Sequence, residues 1–250
     1  MIDIIICGIN SKNGQSLYKC ALESDNVNVT CGVDNETFGE FQCPVYKDIA
    51  QVKHDVDVII DFSEEKVESV IDFALKRQCA LVIGSSLNDK IKNLLEQASN
   101  EIPVFVSSNF SIAVNLLLKF ACETAKQFGS YDIEILDISN RDKTYSPSAT
   151  SELFAENLIQ IRENAKIVNG RRKGKDKRGE NEIGIHSIRG GNLLGSHKIM
   201  FIGTDETISF EHVAECSDLY GKGALKASQY IVTKKNGYYT MKDYLKDQIK

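Results

Sequence analysis

Apolar and polar positions follow one rhythm up to about residue 112 and another beyond it. An apolar run at 2–7 stops at Gly8, and helical spacing follows from about 14 to 24. Further strand-like runs at 27–33, 56–60 and 80–83 end at Asp34, at Asp61-Phe62-Ser63 and at Gly84-Ser85-Ser86. Helical patterns at 65–77, with Val67, Val70, Ile71 and Ala74 on one face, and at 89–99 separate the later strands, and a short strand follows at 103–106. Short apolar strands alternating with amphipathic helices predict crossover units and a parallel sheet. The region 112–128 reads as one long helix, 132–138 as a strand and 151–164 as a helix. Strands at 182–188, 197–202 and 207–215 then follow one another without helices, which predicts an antiparallel or mixed sheet in a second, α+β domain. Helical pattern returns at 222–233, before a tail that contains Tyr238, Tyr239 and Tyr244.

Composition narrows the choice of function. With 250 residues, 42% hydrophobic and 26% charged, the chain has enough apolar content for one large core or two small ones, so wholesale disorder is excluded. No apolar run approaches the roughly 18 residues of a membrane helix, and the start, Met-Ile-Asp-Ile-Ile-Ile-Cys, has no basic leader, so a cytoplasmic location is expected. The seven cysteines are scattered and never spaced C-x-x-C; reduced thiols are expected, not a disulfide framework or a zinc site. A net charge of −5 argues against nucleic acid as the main partner. The basic run at 171–178 reads either as a solvated loop or as one that closes over an anionic substrate.

Several segments carry candidate chemistry. Gly8, Ile9, Asn10, Ser11, Lys12, Asn13 and Gly14 lie between a strand and a helix, where glycines permit a tight turn and backbone N–H groups can face a pyrophosphate. Ser11 occupies the middle glycine position of that fingerprint. Asp34, at the next strand's end, is placed to accept from ribose hydroxyls and to repel a 2′-phosphate, which favours NADH slightly over NADPH; Lys12 offsets part of that repulsion. Small residues at Asp61-Phe62-Ser63 and at Gly84, Ser85 and Ser86 leave room for a nicotinamide and its ribose, although Ser63 also reads as a helix cap. Ser107, Ser108, Asn109, Phe110 and Ser111 mark the exit from the first domain, where a hinge would form a cleft. Beyond the strand at 132–138, Arg141 and Lys143 precede Pro147, Ser148, Ala149 and Thr150, a helix start suited to a carboxylate or phosphate, or simply a capped helix beside two cations.

Taken in order, these segments, with Gly184-Ile185-His186-Ser187-Ile188-Arg189-Gly190-Gly191 and Gly223-Ala224-Leu225, resemble the 4-hydroxy-tetrahydrodipicolinate reductase (dihydrodipicolinate reductase) family over nearly the whole chain. The resemblance implies a Rossmann-type dinucleotide-binding domain at 1–110 and 220–250, and an α+β substrate-binding domain with a mixed open sheet at 111–219 that assembles a homotetramer. It implies NADH or NADPH as cofactor, bound by Gly8–Asn13, Asp34, Gly84, Ser85, Ser86 and the Ser107–Phe110 segment. The implied reaction is hydride transfer to a cyclic dicarboxylate in diaminopimelate and lysine biosynthesis.

The family's Glu-x-His-His-x-x-Lys-x-Asp-x-Pro-Ser-Gly-Thr-Ala pattern here reads Asp137-Ile138-Ser139-Asn140-Arg141-Asp142-Lys143-Thr144-Tyr145-Ser146-Pro147-Ser148-Ala149-Thr150-Ser151. Ser139 thus replaces the family's proton-donating histidine and Asn140 its substrate-binding neighbour. Serine holds its proton too tightly to act as a general acid near pH 7. Lys143 and Ser139 are the expected catalytic residues, Lys143 being the remaining proton donor. Asn140, Lys143, Ser148, Ala149 and Thr150 are the expected substrate contacts. His54, His186, His197 and His212 all lie outside this segment, and none is expected in the site. A reductase of a different imino or keto acid, or a non-catalytic protein binding dinucleotide or dicarboxylate, are the alternative readings.

Overall fold

Strand β1 (Ile2–Cys7) explains its own apolar run: Ile4 and Ile6 enter one core cluster and Ile5 and Cys7 another. A strand buried on both faces is the mark of a covered parallel sheet. The computed structural model describes residues 1–36, 39–85, 87–174 and 177–248. The chain divides into two units, Met1–Ile112 with Ser217–Lys250, and Ala113–Cys216.

In the first unit, β1 is followed by α1 (Lys12–Leu22), β2 (Val27–Val33), β3 (Val45–Tyr46), a single 3₁₀ turn at Ile49–Gln51, β4 (Val58–Asp61), α2 (Val67–Arg77), β5 (Ala80–Ile83), α3 (Asp89–Ala98) and β6 (Pro103–Val106). The second unit carries most of α4 (Ile112–Gln127), then β7 (Asp132–Ser139), α5 (Ala149–Ile159), β8 (Lys166–Asn169), β9 (Glu182–Arg189), β10 (Gly195–Ile202) and β11 (Thr207–Ala214). The chain returns to the first unit with α6 (Asp218–Ile231), β12 (Gly237–Thr240) and α7 (Met241–Gln248).

The first unit is a Rossmann-type sheet of seven parallel strands in the order β12-β6-β5-β4-β1-β2-β3. Helices α1 and α6 bury their apolar residues on the Ile4/Ile6 face, and α2 and α3 on the Ile5/Cys7 face. The chain leaves β1 in one direction for β2 and β3 and resumes on its other side with β4, so the topological switch point lies between β1 and β4. Ligands of such sheets bind in the crevice beyond the strand ends at that point.

The second unit is a mixed sheet in the order β11-β10-β7-β9-β8. Strand β7 pairs antiparallel with β10 and parallel with β9. Phe154, Ala155 and Leu158 of α5, with Val114, Leu117 and Leu118 of α4, share its core with Ile133, Ile135, Ile199 and Phe201. Among the described residues no helix is long and apolar enough to cross a membrane.

Five elements depart from the pattern reading. The two-residue β3 and the largely exposed β8 carry no alternation that would mark a strand. The tyrosine-bearing tail forms β12, which extends the first sheet beside β6, and then α7. Helix α5 starts at Ala149, two residues before the expected start, because Ser148 caps it and accepts from the Ser151 N–H.

Gly8 is the residue that permits the switch-point geometry. Its φ is +71°, and a Cβ there would lie 2.6 Å from the carbonyl carbon of Phe62, on the loop that leaves β4. Gly8→Ala should therefore lower unfolding stability by at least about 2 kcal/mol, through left-handed strain and backbone overlap together. The change is read as a lower denaturant midpoint with an unchanged slope.

Candidate active site

Beyond β1 and β4, a cavity of about 360 Å³ is lined by Gly8, Asn10, Ser11, Asp34, Asn35, Lys47, Phe62, Ser63 and Lys66, among others. Ser11 caps α1, its Oγ accepting from Gly14 N–H at 3.0 Å. Asp34 Oδ2 accepts the Asn10 backbone N–H at 3.0 Å, and the Asn10 side chain donates to the Glu36 carbonyl. The loop after β1 is thereby tied to the end of β2. Gly14 sits so close beneath it that a Cβ would lie 2.2 Å from the Gly8 carbonyl oxygen. A glycine cradle open to the start of a helix, with a carboxylate on its rim, fits a dinucleotide's pyrophosphate and ribose.

Not every residue of the expected cofactor set faces this cavity. Ile9 is fully buried, while Lys12 and Asn13 are exposed on α1 away from the lining. Ser85 is buried and donates to Asp61 Oδ2 at 3.3 Å. Asp61 is itself fully buried and also accepts from the Ser63 hydroxyl at 2.6 Å and the Ser63 N–H at 3.0 Å. Burial pushes the Asp61 carboxyl up, against these hydrogen bonds, and the carboxyl joins the loops that follow β4 and β5. Gly84 lies where a Cβ would strike the Phe62 and Phe110 rings, which meet edge to face with centroids 5.7 Å apart. Phe110 is a core residue. Ser107 and Asn109 are buried in the turn after β6, where Ser107 Oγ donates to the Asn109 carbonyl at 2.7 Å; Ser108 is exposed. Ser86 lies outside the described residues. Lys47 and Lys66, which pattern reading passed over, reach the cavity because Lys66 Nζ donates to Asn35 Oδ1 at 2.7 Å and to the Lys47 carbonyl at 3.2 Å.

The second unit builds its site around one buried carboxylate. Strand β7 alternates strictly, with Ile133, Ile135, Asp137 and Ser139 all on its buried face. Asp137 is fully buried, and the register sets it opposite Ser187 on β9 and His197 on β10. Asp137 Oδ2 accepts the Ser148 N–H at 2.8 Å, Arg189 Nη2 at 3.0 Å and Ser187 Oγ at 3.2 Å. Ser139 Oγ donates to Asp137 Oδ1 at 3.5 Å, and Lys143 Nζ donates to Ser139 Oγ at 3.4 Å while lying 4.8 Å from the Tyr145 ring centroid. Burial works to raise the Asp137 carboxyl, but the Ser148 N–H and the Arg189 guanidinium outweigh it, and the group is held below the ordinary carboxylate range.

Of the expected substrate residues, Ser148 meets this carboxylate directly and Lys143 through Ser139. Ser148 caps α5 and Thr150 is buried in its first turn, while Ala149 stands exposed between them. Ala149 is not among the residues of positive φ, so alanine fills the family's glycine position without strain. The Asn140 oxygen accepts the Asp142 N–H at 3.1 Å, so the group Asn140 can offer a carboxylate is its amide NH₂. In the basic run, Arg171 pairs with Glu182 at 2.6 Å and Arg178 with Asp132 at 2.8 Å and Glu134 at 3.0 Å. Those two arginines serve the unit's own sheet; Lys175 and Asp176 lie outside the described residues.

The expectation that no histidine enters this site is corrected. His197 Nε2 lies 2.9 Å from Ser148 Oγ and 3.6 Å from Asp137 Oδ1. The signal was present in the chain: with a period of two, His197 falls on the same face as Ile199 and Phe201, and a polar residue on a core face asks for a partner. His186, the nearer histidine by motif, instead meets Glu134 at 2.8 Å.

These features are those of a Rossmann-type dinucleotide-binding fold joined to a separate α+β unit. The family model for the N-terminus of dihydrodipicolinate reductase matches residues 2–110, and that for its C-terminus matches residues 113–245. The 4-hydroxy-tetrahydrodipicolinate reductase of Caldanaerobacter subterraneus subsp. tengcongensis is 39% identical over 249 residues, covering 98% of this chain and 99% of that protein. The same-named protein of Clostridium tetani is 33% identical, covering 96% of each. In fold, the chain is similar to a solved, dipicolinate-bound dihydrodipicolinate reductase from Paenisporosarcina sp. TG-14, with a TM-score of 0.81 at 21% identity over 96% of this chain and 97% of that one. The chain belongs to the dihydrodipicolinate reductase family.

His197 makes stability depend on pH in a defined window. Burial foremost, opposed by Asp137 but aided by His212, Lys143 and Arg189, lowers the imidazole to about 4. An unfolded histidine binds its proton near pH 6.5, whereas the folded one does not until about 4, so stability falls as pH drops between those values. The loss should approach roughly 3 kcal/mol. Urea unfolding at pH 7, 5.5 and 4.5 should show this slope, and His197→Gln should remove most of it, leaving the smaller part due to half-buried His212.

Proposed function

We propose that the protein catalyses the NAD(P)H-dependent reduction of 4-hydroxy-tetrahydrodipicolinate to tetrahydrodipicolinate, with Lys143 in place of a histidine proton donor. The observation that carries this reading is that Lys143, Ser139 and the start of α5 converge on one carboxylate, Asp137. Family membership supports the reaction. The bound cofactor supplies a hydride. Water is lost from the hydroxylated ring, the hydride adds to an electron-poor ring carbon, and a proton completes the reduction at the electron-rich centre left behind.

Lys143 supplies that proton from Nζ and attracts a substrate carboxylate with the same charge. Ser139, too weak an acid to replace imidazole, holds the Lys143 ammonium through its Oγ and passes the pull of Asp137 to it. The N-terminal turn of α5, with Ser148, Ala149 and Thr150, takes the other carboxylate, and Asn140 adds its amide.

For the cofactor we propose the Gly8–Ser11 loop and Asp34, with NADH modestly preferred. Asp34 repels a 2′-phosphate, while Lys66, lodged against neighbouring Asn35, tempers the repulsion so that NADPH is also accepted. A homotetramer assembled through the five-stranded sheet is part of the same proposal. Ile188, Ile202 and Val213, apolar yet exposed on that sheet, support it.

The test is the loss of reduced-nicotinamide absorbance, with substrate made in situ by the preceding synthase. Wild-type protein should turn over with both cofactors, at a lower KM for NADH. Lys143→Ala should lose about 10²–10⁴-fold in kcat with dinucleotide affinity intact. Ser139→Ala should lose about ten-fold or less, since it removes a hydrogen bond to a charged group and not the donor itself. No turnover in wild type, with dinucleotide binding intact, would overturn the proposal and favour another imino acid or a binding role.

A further inference from the structure

Ser148 is 2% exposed, and its hydroxyl is engaged within the protein at the head of α5. Its Oγ accepts the Ser151 N–H at 3.2 Å, donates to Ser151 Oγ at 3.1 Å, and lies 2.9 Å from His197 Nε2. Which way the proton runs between serine and imidazole decides what Ser148 can offer a carboxylate.

The surroundings of His197 fix that direction. Its Nε2 faces two oxygens, Ser148 Oγ and the Asp137 carboxylate at 3.6 Å. A lone pair directed at an ionised carboxylate is unfavourable, and an N–H in the same place is favourable. Its Nδ1 is buried with no hydrogen-bond partner among the described residues, and an unpaired N–H there would cost more than an unpaired lone pair. Both arguments place the single proton of the neutral ring on Nε2. His197 is 5% exposed, and its ring stands edge to face with Phe154, centroids 6.1 Å apart.

We infer that His197 is a positioning residue for the substrate: it donates from Nε2 to Ser148 Oγ, fills an acceptor site on the serine, and leaves the serine's own proton, which the structure directs at Ser151 Oγ, to be turned to a substrate carboxylate. This rests on the proposed binding of a dicarboxylate at the head of α5, and it goes further by naming what aims that contact. Without the imidazole donor, Ser148 Oγ would have no strong donor on that side, and its rotamer and proton would no longer be held for the ligand. The register of β10 against β7, which pairs His197 with Asp137, is what brings the donor there.

Three substitutions separate this role from packing. Leucine removes all polarity; asparagine places an amide only where Nδ1 lies; glutamine returns an N–H near the position of Nε2. The measurement is calorimetric affinity for dipicolinate, in the presence of saturating dinucleotide, with NADH affinity as the control in the same protein. The expected result is about ten-fold weaker dipicolinate binding in His197→Leu and His197→Asn, near wild-type binding in His197→Gln, and NADH affinity unchanged throughout. Steady-state kinetics should place the loss in the substrate KM and not in kcat. If His197→Leu fails to fold, the Asn–Gln comparison decides alone. Wild-type affinity in His197→Asn, or equal losses in Asn and Gln, would overturn the inference. Ser148→Ala tells the two levels apart: weaker dipicolinate binding there with none in His197→Asn refutes the histidine's role, whereas no effect of Ser148→Ala refutes the substrate site itself.

Discussion

A carboxylate with no solvent exposure organises the second unit. Asp137 could not remain ionised there alone, because desolvating a lone charge costs several kcal/mol even after relaxation. It is therefore met from every side: by the N–H that opens α5, by Arg189 from the end of β9, by Ser187 across the sheet, and by Ser139 two residues on. Each partner is thereby fixed in turn. Arg189 also donates to the Tyr145 carbonyl at 3.0 Å, which anchors the loop between Lys143 and the helix start. The demand for neutralisation thus places the lysine, the first turn of α5 and the buried histidine within one network.

The first unit depends on a different constraint, the close approach of backbone at the switch point. Gly8 and Gly14 let the β1 loop pass against Phe62 and against its own helix. The fully buried Asp61 does for the loops of β4 and β5 what Asp137 does for its own surroundings, by gathering Ser63 and Ser85. In both units a buried acid on a strand shapes the loops around it.

Much of this was legible in the chain, for physical reasons that differ by element. The parallel strands announce themselves because burial on both faces demands continuous apolar runs, as in Ile4-Ile5-Ile6. The glycine loop and Asp34 were found because local geometry requires those residue types at that spacing. The edge strands β3 and β8 were not, since two to four half-exposed residues have no period to read. His197 escaped notice for another reason. It reaches the site through the pairing of β10 with β7, strands some sixty residues apart whose order no local pattern encodes. The polar members of the core-facing rows, Asp137 and Ser139 on β7 and His197 on β10, were the available clue. Ser85, Ser107, Asn109 and Phe110 show the opposite limit: motif position marks them as ligand contacts, while the structure gives their side chains internal partners or core packing.

In the proposed mechanism the chemistry proceeds without an imidazolium donor, with His197 neutral near pH 7 and Lys143 as the proton's source. A general acid must be protonated to act, so activity is lost as pH rises through its pKa. The most direct measurement is kcat for substrate reduction from pH 5.5 to 9, with dinucleotide and substrate saturating. The rate should not decline through the histidine range near pH 6.5, and should decline only on the alkaline side. A fall in rate centred near pH 6.5 that disappears on substitution of His197 or His186 would contradict it.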